Sequence, residues 1–177
     1  MTTLFLARHG ETDWNRDGRF QGQADPPLNE RGRLQARALA ERLAGVGLDA
    51  IYSSDLRRAL ETAEIVAATR RATVIADPGL REIDVGSWTG LTREQVAERF
   101  PGAERHDGET VEDFRARVLA AVERIARSHP GGRVLVVSHG GCARTIQRRA
   151  LGEPLPLLEN GGLFAVGFEG GAFRPID

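Results

Sequence analysis

The sequence predicts an α/β fold in three layers, a sheet with helices on both faces. Two observations predict it. Apolar, β-branched runs recur at residues 4–7, 50–52, 73–75, 134–137 and 163–168, and within each run the apolar residues are continuous rather than alternating. A strand that is apolar on both sides is a strand covered on both sides. Between the runs lie stretches with apolar residues at helical spacing, and strands interleaved with helices build layered α/β folds.

Taken in order, the first run, LFLA, ends abruptly in Arg8-His9-Gly10. A helix follows Asn29, a residue suited to an N-cap, although Gly32 stands where a capping box would place Glu or Gln. Its apolar face reads as Leu34, Ala38, Leu39 and Leu43. A second helix runs over about residues 56–68. The segment 77–93 fits neither period and is punctuated by Pro78, Gly79, Gly86 and Gly90. With Leu80, Ile83 and Trp88 to anchor it, it reads as a functional loop. The clearest helical stretch spans 111–127, with Val111, Phe114, Val118, Val122 and Ile125 in the i, i+3, i+4 rhythm. The run RVLVVS exits into His139-Gly140-Gly141 directly before another helix.

Bulk properties narrow the function classes. A chain of 177 residues fits one domain over 1–177 and buries roughly 70% of its unfolded surface. The net charge of -1 provides no field for nucleic acid or an anionic membrane. One cysteine, Cys142, excludes an intramolecular disulfide and any multi-cysteine metal site, which fits a reducing interior. No leader and no apolar run of about 20 residues is visible, so a soluble cytoplasmic protein is expected.

Open α/β sheets bind ligands beyond the carboxyl ends of their strands. Those exits carry Arg8-His9-Gly10, then Ser53-Ser54 followed by Arg57-Arg58 on a helix, then Ser138-His139-Gly140-Gly141; the irregular segment adds Arg81, Glu82 and Asp84. A single histidine after a strand is usually a loop or core residue, and an arginine pair opening a helix is usually solvated. Two strand-then-HG exits together with an arginine-bearing helix have one natural chemical use. Arginine presents a rigid donor fork that matches phosphate oxygens. Gly10 and Gly140 allow backbone amides to approach an anion, helped by the positive end of a helix. Guanidinium neighbours hold an imidazole neutral and nucleophilic, whereas a phosphate dianion beside Glu82 favours a protonated carboxyl. These roles describe phosphoryl transfer without a metal: His9 attacks phosphorus, and Glu82 protonates the leaving oxygen.

The blocks LARHGETDWN, FQG, DPPLNERGRLQA, SSDLRRALETA, LREIDVGSWTG and VVSHGG resemble, in order, those of the histidine phosphatase superfamily, the phosphoglycerate mutase-like family. The resemblance spans residues 4–141 and implies an α/β/α sandwich around a largely parallel sheet. It implies that His9 is the phosphohistidine nucleophile, with Arg8, Arg58 and His139 holding the phosphoryl oxygens. Asn15, Gln21 and Gly22 would complete the substrate pocket, and Gly140 would offer an amide. The family pattern R-A-x-x-T-A selects Arg58 over Arg57, and the acid two residues after Leu80 selects Glu82 over Asp84. Asn29 replaces the usual Ser or Thr.

Resemblance also bears on what accepts the phosphoryl group. Mutases of the family carry a tyrosine three residues after the acid and a longer insertion with paired arginines. Here Val85 takes that place, and 101–110 is short and has no adjacent arginines. The expectation is therefore a phosphatase of a small phosphorylated metabolite, with no metal or cofactor and no nucleic-acid or membrane partner. A 2,3-bisphosphoglycerate-dependent mutase and a non-catalytic phosphate-binding module are the alternatives. Trp14 and Trp88 read as packing, Cys142 as a small buried residue, and His106 and His129 as surface residues.

Overall fold

The first apolar run forms β1 (Thr2–Arg8), which lies between β4 (Arg133–Ser138), parallel to it, and β5 (Leu163–Glu169), antiparallel. The structure is a computed structural model and describes residues 1–102, 105, 107–153 and 156–176, so His106 falls outside it. Beyond β4 come β2 (Ala50–Ser53) and the edge strand β3 (Val74–Ala76), both parallel. Beyond β5 comes β6 (Ala172–Pro175), giving the order β3-β2-β4-β1-β5-β6. The expected largely parallel sheet is thus mixed at one edge.

Strand β4 shows why the runs are continuous. Val134 and Val136 pack with Leu4, Leu6, Phe114, Val118, Val122, Ile125 and Ile146 on one face of the sheet. Leu135 and Val137 point the other way, to Leu39, Leu43, Ile51, Ala63 and Val66. The helices α2 (Glu30–Arg42) and α3 (Arg57–Ala68) make the second layer, while α5 (Val111–Ser128) and α6 (Gly140–Leu151) make the first. Successive side chains of a strand alternate faces, so a strand buried on both sides must be apolar throughout. Among the described residues, no helix is long and apolar enough to cross a membrane.

Several readings of single residues change. Asn29 caps α2 as expected, its side chain accepting from the Gly32 amide at 2.8 Å. The buried stripe of α2, however, is Gly32, Ala36, Leu39 and Ala40, and Leu34 is 57% exposed. Small residues win because the start of α2 crosses the segment after β1 almost backbone to backbone. A Cβ on Gly32 would lie 2.1 Å from the Glu11 carbonyl oxygen, and one on Gly10 would lie 2.3 Å from that of Gly32. Val111 opens α5 and is exposed, outside the buried stripe of Phe114, Val118, Val122 and Ile125. The irregular 77–93 segment holds two 3-10 turns, Pro78–Leu80 and Gly86–Trp88, anchored by buried Leu80 and Val85. The sequence reading did not include α1 (Asp13–Arg16), α4 (Arg93–Arg99) or β6. The first two are held by capping boxes, Thr12 with Asn15 and Thr92 with Gln95, rather than by apolar periodicity.

The Gly10–Gly32 crossing generates a stability prediction. Gly32→Ala gains at most about 1 kcal/mol of helix propensity. It forces backbone against backbone, so a net loss of about 2 kcal/mol or more is expected in urea unfolding. Gly45→Ala, where an added Cβ meets nothing within 4 Å, is expected to stay within about 0.5 kcal/mol of the parent.

Candidate active site

Register places the site. Arg8 of β1 is opposite Ser138 of β4, and Ser53 of β2 is opposite Val137, so three neighbouring parallel strands end at one level. The backbone continues that ladder for one step: the His9 amide donates to the Ser138 carbonyl and the Ser54 amide to the Val137 carbonyl, both at 3.0 Å. His9, Ser54 and His139 therefore emerge side by side. The helix after Ser54 brings Arg58 on its inner face, 1% exposed, while Arg57 faces outward. The segment bearing Glu82 is pinned to the end of β4, because the Ser138 hydroxyl donates to the Leu80 carbonyl at 2.8 Å.

His9 is held in one tautomer by two partners. Its Nδ1 lies 2.6 Å from the Gly10 carbonyl oxygen, which can only accept, so Nδ1 carries the proton. Its Nε2 lies 3.3 Å from Arg58 Nε, which can only donate, so Nε2 carries the lone pair. Arg58 is fixed by two further bonds, Nη1 to the Ala24 carbonyl at 2.7 Å and Nη2 to the Gly22 carbonyl at 2.8 Å. The rings of His9 and His139 stand edge to face, centroids 5.1 Å apart.

Two buried donors beside this pair lack any partner among the described residues: Arg8 Nε and His139 Nδ1. Arg8 Nη1 is anchored on the Leu158 carbonyl at 2.7 Å. His139 Nε2 lies 2.9 Å from Ser54 Oγ, which itself accepts from the Leu56 amide at 3.3 Å. The serine proton is thus free to donate to Nε2, which makes His139 Nδ1–H the orphan. Orphaned buried donors are rare in folded proteins and call for an explanation.

Glu82 is set across from them, Oε1 accepting from the Ile83 amide at 2.9 Å and Oε2 from the Gly141 amide at 3.0 Å. A Cβ on Gly141 would lie 2.3 Å from Glu82 Oε1, so the helix start must be glycine for the carboxylate to approach.

The remaining expected residues are placed differently from one another. Asn15 Oδ1 accepts from the Thr12 amide at 3.1 Å, and Gln21 Oε1 from the Thr12 hydroxyl at 2.9 Å. Gly22, at φ 50°, acts through its carbonyl on Arg58. The Gly10 amide, expected to face an anion, instead donates to Thr62 Oγ1 at 3.1 Å, a bond that ties the loop to α3. Gly140 lies in the first turn of α6, where amides have no intrahelical acceptor, and Arg8 Nε would be 3.5 Å from a Cβ placed there. Asp84 accepts from the Gly86 amide at 2.9 Å and so shapes the turn.

Sequence reasoning assigned no role to five supports. Thr62, one helical turn after Arg58, donates to the Arg58 carbonyl at 2.7 Å while accepting from Gly10; the i+4 spacing was the available signal. Asn160 Nδ2 donates to the His9 carbonyl at 3.1 Å from the loop before β5. Ser54 sets His139, and Gly141 sets Glu82. Arg117 braces the acid from behind, with a forked pair to Glu109 at 2.8 and 2.7 Å and a bond to the Glu82 carbonyl at 3.3 Å.

Charge follows burial. Desolvation, then the Arg58 and Arg8 charges, hold the His9 pKa well below the usual histidine range, against a smaller opposing pull from the Gly10 carbonyl. His139 is lowered in the same way, by desolvation first and then Arg58. Burial pushes the Arg58 guanidinium down to about 10, still charged at neutral pH. Two neutral imidazoles among guanidiniums, with orphaned donors, form a receptor for a multiply charged oxyanion.

This fold and site define an α/β protein with two strand-end histidines set among arginines and buried with Arg58. The chain belongs to the histidine phosphatase superfamily (branch 1), which it matches over residues 4–174. It is 44% identical to the metal-independent phosphoserine phosphatase of Arabidopsis thaliana, covering 84% of this chain and 68% of that one. It is 36% identical to a probable phosphoglycerate mutase of Enterobacter, covering 87% and 77%. Among solved structures it resembles Bacillus stearothermophilus YhfR, with TM-score 0.91 and 37% identity over 98% of this chain and 94% of that one. It also resembles a mycobacterial glucosyl-3-phosphoglycerate phosphatase complexed with VO3, with TM-score 0.86 and 34% identity over 93% and 92%.

Two expected outcomes follow from this geometry. Both histidine pKa values are lowered on folding, so between the folded and unfolded values the unfolded chain binds more protons, and stability falls as pH drops through 6.5. Urea midpoints are expected to decline below pH 6.5, each histidine costing roughly 1 kcal/mol per pH unit until the folded form also protonates. Gly141→Ala is expected to lower kcat by about 10-fold or more by displacing Glu82, with far-UV circular dichroism unchanged.

Proposed function

We propose that this chain hydrolyses small phosphomonoesters through a phosphohistidine on His9 Nε2. The observation that carries the reading is the Nε2 lone pair, fixed by the Gly10 bond to Nδ1 and met by Arg58 Nε, in a buried cluster where Arg8 Nε and His139 Nδ1 have no partner among the described residues. In the first step Nε2 forms the P–N bond in line as the ester P–O bond breaks. The leaving oxygen takes the bonding pair, and the Glu82 carboxyl protonates it. Arg8, Arg58 and His139 Nδ1–H meet the oxygens over which charge spreads. In the second step Glu82, now a carboxylate, takes a proton from water. The water oxygen bonds to phosphorus, the P–N bond breaks, and its pair returns to Nε2.

Water as acceptor is supported by Val85 and by the short 101–110 segment, and phosphatase names among the relatives point the same way. The substrate is a small phosphorylated metabolite, the whole chain forms one catalytic domain, and no metal or cofactor takes part. A cytoplasmic setting suits Cys142, which is buried and free.

Hydrolysis of p-nitrophenyl phosphate in EDTA tests the reading. The wild type is expected to turn over and His9→Ala to lose on the order of 10³-fold or more in kcat. Glu82→Gln is expected to lose about 10²-fold on alkyl phosphates and less on p-nitrophenyl phosphate, whose leaving group needs no proton. Activity that survives His9→Ala, or that EDTA abolishes, overturns it. Phosphoglycerate interconversion that requires the bisphosphate and outpaces hydrolysis assigns the mutase instead.

A further inference from the structure

Ser54 follows the last residue of β2 and is fully buried. Its hydroxyl oxygen has two neighbours. The Leu56 amide donates to it at 3.3 Å, and His139 Nε2 lies 2.9 Å from it. Leu56 is the N-cap of α3 and has no side-chain cap of its own.

Two proton arrangements fit these distances, and a count of buried polar groups separates them. In the first, the serine hydroxyl donates to Nε2 and the ring proton sits on Nδ1. One buried donor, Nδ1–H, is then left over. In the second, Nε2–H donates to Ser54 Oγ and Nδ1 is bare. The serine proton then has no acceptor, because among the described residues Oγ bonds only to Leu56 and His139. Nδ1 has no partner either. The second arrangement strands two buried polar groups where the first strands one, and each stranded group carries its full desolvation cost.

The arrangements also meet a ligand with opposite signs. Nδ1–H donates to a phosphoryl oxygen, whereas a bare Nδ1 lone pair repels it. In the first arrangement the Leu56 amide, the Ser54 hydroxyl and the His139 ring form one chain of donors, each bond polarising the next. The chain begins at the positive end of α3 and finishes at Nδ1–H.

We propose that Ser54 is a positioning residue for the reaction. Its hydroxyl holds His139 as the Nδ1–H tautomer and passes the pull of the Leu56 amide through the ring to the phosphoryl oxygens. The assignment rests on the hydrolase reading for the phosphoryl group and deepens it by naming what makes His139 a donor.

A second serine provides the control for its test. Ser53 is as buried as Ser54, but its hydroxyl donates to the Ser54 carbonyl at 2.8 Å. Nitrogen NMR of the His139 ring and calorimetric binding of inorganic phosphate read the effect without requiring turnover. The wild type is expected to show a neutral His139 with its proton on Nδ1. Ser54→Ala is expected to move that proton to Nε2 and to weaken phosphate about tenfold, with the His9 tautomer unchanged. Ser54→Thr, which keeps the hydroxyl, restores both, and Ser53→Ala leaves both at their wild-type values. A wild-type His139 protonated on Nε2 overturns the assignment, and that result stands even if Ser54→Ala fails to fold. Ser54→Ala with the wild-type tautomer and affinity overturns it too, as does Ser53→Ala that weakens phosphate equally. A wild type with the expected tautomer and phosphate binding that leaves p-nitrophenyl phosphate intact overturns the hydrolase reading alone.

Discussion

The imidazole of His9, held between the Gly10 carbonyl and the Arg58 guanidinium, is the contact on which the site depends. Each partner alone specifies the same tautomer, so the ring has one way to sit and one nitrogen with a lone pair to offer. Holding it there is costly. A buried guanidinium carries a desolvation penalty of several kcal/mol, offset only where its donors are satisfied. Arg58 meets that condition with two carbonyls and the histidine, and, among the described residues, not with a carboxylate at contact distance. The positive charge is thereby hydrogen-bonded but not neutralised. An oxyanion entering the site supplies the missing countercharge and finds Arg8 Nε and His139 Nδ1, which have no partner among the described residues.

Close backbone approach is the structural condition for that contact. Gly10 and Gly32 let the loop after β1 lie against the start of α2, which frees the Gly10 amide to reach Thr62 and the Gly10 carbonyl to reach His9. Gly141 does the same for the acid on the other side of the site. Strand register does the rest, because three parallel strands ending at one level deliver their exit residues to one place. Fold and site are therefore coupled through a few glycines and one ladder of hydrogen bonds.

Much of this was legible in the sequence. Continuous apolar runs reported a doubly covered sheet, and the residues of the RHG, RRALETA, LREID and SHGG blocks are the ones the fold brings together. Other parts left no periodic trace. The exposure of Leu34 could not be read, because its spacing on α2 was sound and only the backbone crossing at Gly32 rotates the buried stripe toward small residues. Strand β6 follows a Gly170-Gly171 turn, both at positive φ, a hairpin signal within a short polar tail that hid it. Asn160 and Arg117 act across long stretches of chain, so nothing local announces them. The Gly10 amide faces Thr62 rather than an anion because a tertiary bond outweighed the local geometry.

The central claim is a protonation state, and nitrogen NMR of the His9 imidazole in the resting protein reads it most directly. At pH 7 the account requires a neutral ring with its proton on Nδ1 and an unprotonated Nε2 that accepts from Arg58 Nε. An imidazolium, or a neutral ring protonated on Nε2, would contradict it.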